Sequence, residues 1–258
     1  LINKKYLHQA AHVLRLSLAA WLTISSLLFL FSDKLIYLTP FAKGNVRGKI
    51  QYEEVYLNGP QGKNYVIQSL NHKSNLVVLC LHGNKGTISQ ATDKIATKYN
   101  LIAPSYPGYH LSEGKPSEEA MHQSVDLSIE HLNKLGFENK NIIVFGASLG
   151  GNPALYAATK YPDLNRVILI NTFDSVKSVC EDQYKIFCIF SGGLLNNIEL
   201  AKSAKARIRQ FHSNEDNVIS LNQGENLFKF IASEDKTFQI IKGTHNDFPV
   251  LEIIDSSN

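Results

Sequence analysis

Cysteine is scarce in this chain and charge of either sign is nearly balanced. Three cysteines in 258 residues are too few for a disulfide framework. No CxxC pair and no Cys/His spacing points to a metal. Cys80 lies inside the apolar run 76–81 and reads as a small buried hydrophobe. Cys180 and Cys188 either pair, in an oxidising compartment, or stay as two thiols. The formal net charge is +3, and no stretch concentrates Lys and Arg with aromatics, so nucleic-acid binding is not expected. Apolar residues make up 44% and charged residues 19%, which excludes a disordered chain and suits one sizeable core. Internal repeats and low-complexity segments are missing as well.

What the sequence does have begins near its start. Residues 16–31 carry no charge, and with Val13 and Leu14 included, Arg15 snorkelling, they approach the roughly 20 residues of a membrane span. Lys4, Lys5 and Arg15 precede this stretch, a bias that keeps the leading flank inside and sends the rest across. The expectation is a single-pass membrane anchor over 1–34 and a folded domain over 35–258 on the non-cytoplasmic side. A cleaved signal peptide and a helix packed on a soluble domain are the competing readings. Phe29–Phe31 makes a poor cleavage site.

Residues 50–57 and 64–70 read as two strands joined by a turn over 58–62. Strand and helix patterns then alternate. Strands are expected over 76–81, 101–105, 141–146, 166–171, 208–212 and 237–241, the fifth of these diluted by Arg207, Arg209 and Gln210. Helices are expected over 89–98, 117–135 and 152–160. Ser117, Glu118 and Glu119 supply a capping signature for the second helix and Gly136 its stop. Alternation of this kind predicts an α/β fold with a mostly parallel sheet covered on both faces. Residues 174–203 break the alternation and are longer than an ordinary connection, so a short lid is preferred there over a plain crossover.

The strongest chemical signal is Gly146-Ala147-Ser148-Leu149-Gly150, a G-x-S-x-G between a strand and a helix. A serine on such a turn projects its hydroxyl from the sheet, and the flanking glycines let strand and helix close around it. A hydroxyl is a weak nucleophile and needs a base. Of nine histidines, only His212 and His245 follow Ser148, the order this kind of turn requires. His245 follows the last strand, at the sheet edge where such sites lie, and is the candidate base. His212 closes the preceding strand and is expected to pack near the acid. Asp216 is the favoured acid, Glu215 its local rival and Asp174 the second choice, while Asp247 stands too near His245. Two N–H donors should face a developing oxyanion. Leu149, after the nucleophile, is one, and Asn84 in His82-Gly83-Asn84-Lys85-Gly86 is the best candidate for the other. His82 is expected to support that loop.

With these residues in place, the chain resembles the α/β-hydrolase superfamily, and looks most like its small membrane-anchored members. Five features carry the resemblance along nearly the whole chain. They are the apolar segment with 35–40, His82-Gly83-Asn84, the block 106–118, residues 146–150, and the late Asp216 and His245 loops. The block 106–118 is the most specific. Its turn is expected to shape the mouth of the site, with Tyr106 and Tyr109 as substrate-binding residues. Two positions depart: the family usually has Gly where His110 stands, predicting a rebuilt turn, and Gly where Ser213 stands. The resemblance implies hydrolysis of ester, thioester or lipid-ester bonds by Ser148, His245 and Asp216, without metal or organic cofactor. The alternatives are a serine peptidase of the same fold and an inactive binding protein at a membrane.

Overall fold

The computed structural model describes residues 4–39, 50, 52–86, 90–185, 188 and 194–257. Side-chain alternation builds its sheet. In β3 (Val77–Leu81) every residue is buried. Leu79 and Leu81 enter a cluster on one face, Val78 and Cys80 a cluster on the other. A strand sandwiched in this way can carry a continuous apolar run. The same holds for β4 (Asn100–Pro104) and β6 (Arg166–Ile170), and for β5 (Ile142–Ala147) as far as Gly146.

Two strands precede this core, β1 (Glu53–Gly59) and β2 (Gly62–Ser69), joined at Pro60 and Gln61. β7 (Ile208–Ser213) and β8 (Lys236–Ile241) complete an eight-stranded sheet in the order β1-β2-β4-β3-β5-β6-β7-β8. β1 and β4 run antiparallel to β2, and every other neighbouring pair is parallel. The polar residues of β7 have partners, which is why the strand persists. Gln210 Nε2 donates to Gly224 O at 2.7 Å and Arg209 pairs with Asp235 at 2.7 Å.

Helices cover both faces, as the alternation predicts. α4 (Glu118–Lys134), α5 (Gly151–Lys160) and α8 (Leu221–Phe230) pack on one cluster. α3 (Gln90–Ala96) and α9 (Val250–Ser256) pack on the other. Ser117 Oγ accepts from Ala120 N at 3.1 Å to cap α4, and Gly136 at φ 94° follows its end.

The break at 174–203 contains α6 (Val176–Tyr184) and the short α7 (Asn197–Ala201). A bridge between Ser175 and Asn196 closes its base, and Cys180 and Cys188 form a disulfide. Phe187, Phe190, Gly192 and Gly193, part of the lid expectation, lie outside the described residues, as does Pro40 of the 35–40 motif.

The N-terminal segment forms α1 (Lys4–Leu30) and α2 (Ser32–Ile36). Within α1, His8–Leu30 is long and apolar enough to cross a membrane, and only 6% of its apolar window is buried. A helix packed into a soluble core would be mostly buried, which this one is not. The segment is not detached from the domain either: Ser25 of α1 is buried, and Tyr37, just after α2, enters the core.

Candidate active site

β5 ends at Ala147, one turn of 3-10 helix spans Ser148–Gly150, and α5 begins at Gly151. Ser148 has φ 53°, a left-handed conformation that side-chain-bearing residues avoid. The neighbouring glycines explain how the turn closes. A Cβ on Gly150 would stand 2.1 Å from Leu81 O, and one on Gly146 would stand 2.4 Å from Gly150 O. Thr172 Oγ1 donates to Ser148 O at 2.8 Å and holds the turn from β6's side.

The structure brings Ser148, His245 and Asp216 together. His245 Nε2 lies 3.1 Å from Ser148 Oγ, and His245 Nδ1 lies 2.8 Å from Asp216 Oδ2. With Asp216 as acceptor, Nδ1 carries the proton and Nε2 is left to take one from the serine. Asp216 Oδ1 accepts from Val218 N and Ile219 N, each at 2.9 Å. Burial opposes ionisation of Asp216, but the His245 hydrogen bond and these N–H groups outweigh it and hold the carboxyl below its ordinary range. His212 packs by the acid as expected: it is buried, its Nε2 donates to Ile219 O at 3.0 Å, and Asp216 Oδ2 is 3.7 Å away. The other acids do not reach His245. Glu215 is exposed, and Asp174 accepts from Asn226 Nδ2 at 2.7 Å and from Ser175 Oγ at 3.1 Å.

The loop after β3 lies against the nucleophile: a Cβ on Gly83 would be 3.5 Å from Ser148 Cβ. Asn84 and Leu149 both line the cavity at the serine. His82 does support this loop. Its Nδ1 donates to Gly83 O at 2.6 Å and its Nε2 accepts from Tyr106 N at 3.4 Å. Burial pushes its pKa down to about 4, so it stays neutral.

The two tyrosines stand elsewhere than the sequence suggested. Tyr106 and Tyr109 are fully buried, lie behind His82 with ring centroids 4.0 and 5.0 Å away, and do not line the cavity. Tyr106 Oη donates to His82 O at 3.2 Å. Their apolar bodies brace His82 and its loop. The turn at His110 is not rebuilt: the residue takes the glycine-like conformation itself, at φ 46°, with its ring 4.8 Å from that of Tyr65.

The sequence reading missed Asn171. At φ 49° just past β6, its Oδ1 accepts from Ser213 N at 2.7 Å. Its Nδ2 points at Ser213 Oγ (3.0 Å), Thr244 O (3.2 Å) and His245 O (3.1 Å). One amide thus joins the strand before the acid to the loop of the base. The hydroxyl of Ser213, where the family has Gly, belongs to this junction. The available signal was a polar pair, Asn171-Thr172, at the C-terminal end of a buried strand, where sites in such sheets gather.

A cavity of about 890 Å³ opens beside Ser148 and His245. Its walls come from the His82–Gly86 loop, from Val176, Val179 and Cys180 of α6, and from the end of α1 with α2. Among the described residues no cluster of His, Cys, Asp and Glu could hold a metal.

Residues 77–210 match the model of the alpha/beta hydrolase fold family. An uncharacterized membrane protein of Saccharomyces cerevisiae is 31% identical over 192 residues, 70% of this chain and 68% of that protein. A phosphatidylserine lipase of Pongo abelii is 30% identical over 103 residues, which are 39% of this chain and only 18% of the lipase. An alpha-beta hydrolase from Vibrio vulnificus superposes with TM-score 0.70 at 21% identity, over 88% of this chain and 92% of that one. The sheet from β3 into β7 lies inside the family's match, a strained serine joins β5 to α5, and a membrane protein shares the sequence along most of its length: the chain belongs to the α/β-hydrolase fold family.

Proposed function

We propose that the chain is a membrane-anchored serine hydrolase that cleaves carboxylic esters or thioesters of lipid or acyl substrates. The observation that carries this reading is the unbroken relay from Ser148 Oγ through His245 to Asp216, beside a largely apolar cavity. The phosphatidylserine lipase among its relatives supports a lipid substrate.

The chemistry runs in two halves. Ser148 Oγ bonds to the carbonyl carbon as its proton passes to His245 Nε2. The N–H groups of Leu149 and Asn84 receive the negative oxygen of the tetrahedral intermediate. That intermediate collapses, the bond to the leaving oxygen or sulfur breaks, and His245 returns the proton to the leaving group. Water then attacks the acyl-Ser148, His245 taking its proton and giving it to Oγ, and the free acid departs. Asp216 keeps the imidazole in the required tautomer and stabilises it when charged. No step asks for a metal or an organic cofactor.

Anchoring uses α1 as a single pass, with residues 35–258 as the hydrolase domain. The positive charges before its apolar stretch favour a cytoplasmic leading flank, and the Cys180–Cys188 disulfide suits an oxidising compartment. Both support a domain on the non-cytoplasmic side.

The test is labelling of the full chain with a fluorophosphonate. Wild type should label and Ser148→Ala should not, and His245→Ala should slow ester turnover by several orders of magnitude. A folded wild type that does not label would sink the enzyme reading in favour of a binding role.

A further inference from the structure

The end of the membrane helix is part of the cavity at Ser148. Ser25, Leu28 and Phe29 of α1 and Ser32, Leu35 and Ile36 of α2 line it together with Ser148 and His245. One face of α1 turns toward the domain, with Trp21 and Leu28 half-buried and Ser25 buried. The other face, including Ile24, Leu27 and Leu30, is exposed. The Ser25 hydroxyl is enclosed yet has no hydrogen-bond partner among the described residues, a position that would be costly unless something fills it. The rim on the domain's side is apolar as well: Tyr184 and Val218 line the cavity and are both exposed, as are Phe29 and Leu35 opposite them.

An anchor whose only task is tethering has no reason to contribute a wall to the site. It would join the domain through a polar linker and leave the cavity to residues of the domain. Here Leu28 and Phe29 of the cavity wall belong to the same helix, fit to span a bilayer, whose Ile24, Leu27 and Leu30 are exposed. An acyl chain passing from that exposed face to the cavity meets apolar side chains of one helix, which lowers the cost of its transfer. The volume, about 890 Å³, lies within the roughly 300–1,000 Å³ of sites that enclose a small ligand.

We propose that α1 and α2 form one wall of an acyl-chain pocket, and that the long-chain ester of a bilayer lipid enters sideways from the membrane to reach Ser148. Leu28, Phe29 and Leu35 contact the chain, and the Ser25 hydroxyl meets a polar atom of the lipid. This rests on the hydrolase reading above and adds to it where the substrate comes from and what holds its tail.

The full chain, reconstituted in phosphatidylcholine vesicles, is assayed on p-nitrophenyl butyrate and p-nitrophenyl palmitate, with fluorophosphonate labelling alongside. Leu28→Trp fills the pocket from the helix side and should lower the palmitate-to-butyrate ratio of kcat/KM by roughly 10-fold or more. Ile24→Trp adds the same bulk on the lipid-facing side and should leave that ratio where it was. An unchanged ratio in Leu28→Trp, or an equal fall in both variants, would overturn the pocket proposal while labelling of Ser148 keeps the hydrolase reading intact. Loss of labelling in the wild type would overturn both.

Discussion

Asn171 shows how much one side chain can hold. Its amide fixes the backbone of Ser213 on the acid's strand and two carbonyls in the base's loop, so it sets where Asp216 and His245 stand without touching the reacting atoms. Asn171→Ala should therefore lower kcat on the order of 10²-fold, the cost of a misplaced catalytic group, while KM for a short ester holds. A merely structural residue would change the folded fraction and leave kcat per folded molecule alone. Folded fraction measured alongside active-site titration separates the two. Reading Ser148, His245 and Asp216 from sequence needed only local context and chain order. Asn171 was not legible because its meaning lies in three partners, at positions 213, 244 and 245, that come near it only once β6, β7 and β8 pair. Tyr106 and Tyr109 failed for the opposite reason. A specific motif suggested contact with substrate, whereas a buried aromatic pair was needed to carry His82.

At the scale of elements, α8 and β7 meet through a missing side chain. Gly224 sits inside α8, where Ala would ordinarily be favoured by roughly 1 kcal/mol. A Cβ there would lie 2.4 Å from His212 Nδ1, and His212 in turn packs against Asp216. Gly224→Ala should destabilise the fold by about 1–3 kcal/mol despite the helix propensity, as overpacking does, and slow ester turnover as well. A urea midpoint equal to or above that of wild type would contradict this. α6 depends on its disulfide. The bond closes a loop of sequence separation 8, for which chain entropy suggests about 2–3 kcal/mol. Cys180→Ala/Cys188→Ala should loosen α6 in hydrogen exchange before it affects the sheet. The strands were legible because β3, β5 and β6 are apolar on both faces. The pairing of the cysteines was open, since eight positions of sequence leave their distance undetermined until α6 forms.

For the molecule as a whole, acid is the stress that the buried histidines prepare. Burial lowers the pKa of His82 to about 4, and it lowers those of His122, His131 and His212 too. In the unfolded chain such groups take up a proton near pH 6.5. As pH falls from there toward 4, the unfolded state binds protons that the folded state refuses, and stability declines. His82 alone accounts for on the order of 3 kcal/mol of that loss. Depression of the Asp216 carboxyl has the same sign, its contribution being lost as pH falls below the ordinary carboxylate range. Urea midpoints should drop between pH 7 and 4.5, and His82→Gln should flatten the curve. A midpoint independent of pH would contradict the neutral buried imidazoles.

The relay joins residues 97 positions apart, Ser148 to His245. During synthesis at about 5–20 residues per second, that separation amounts to roughly 5–20 seconds. Throughout that interval the nascent chain has Ser148 but lacks the imidazole that meets its hydroxyl in the folded protein. On the reading proposed above, a hydrolase held beside lipid therefore stays unarmed until the loop at His245 is made. Its safety catch is the order in which the polypeptide is written.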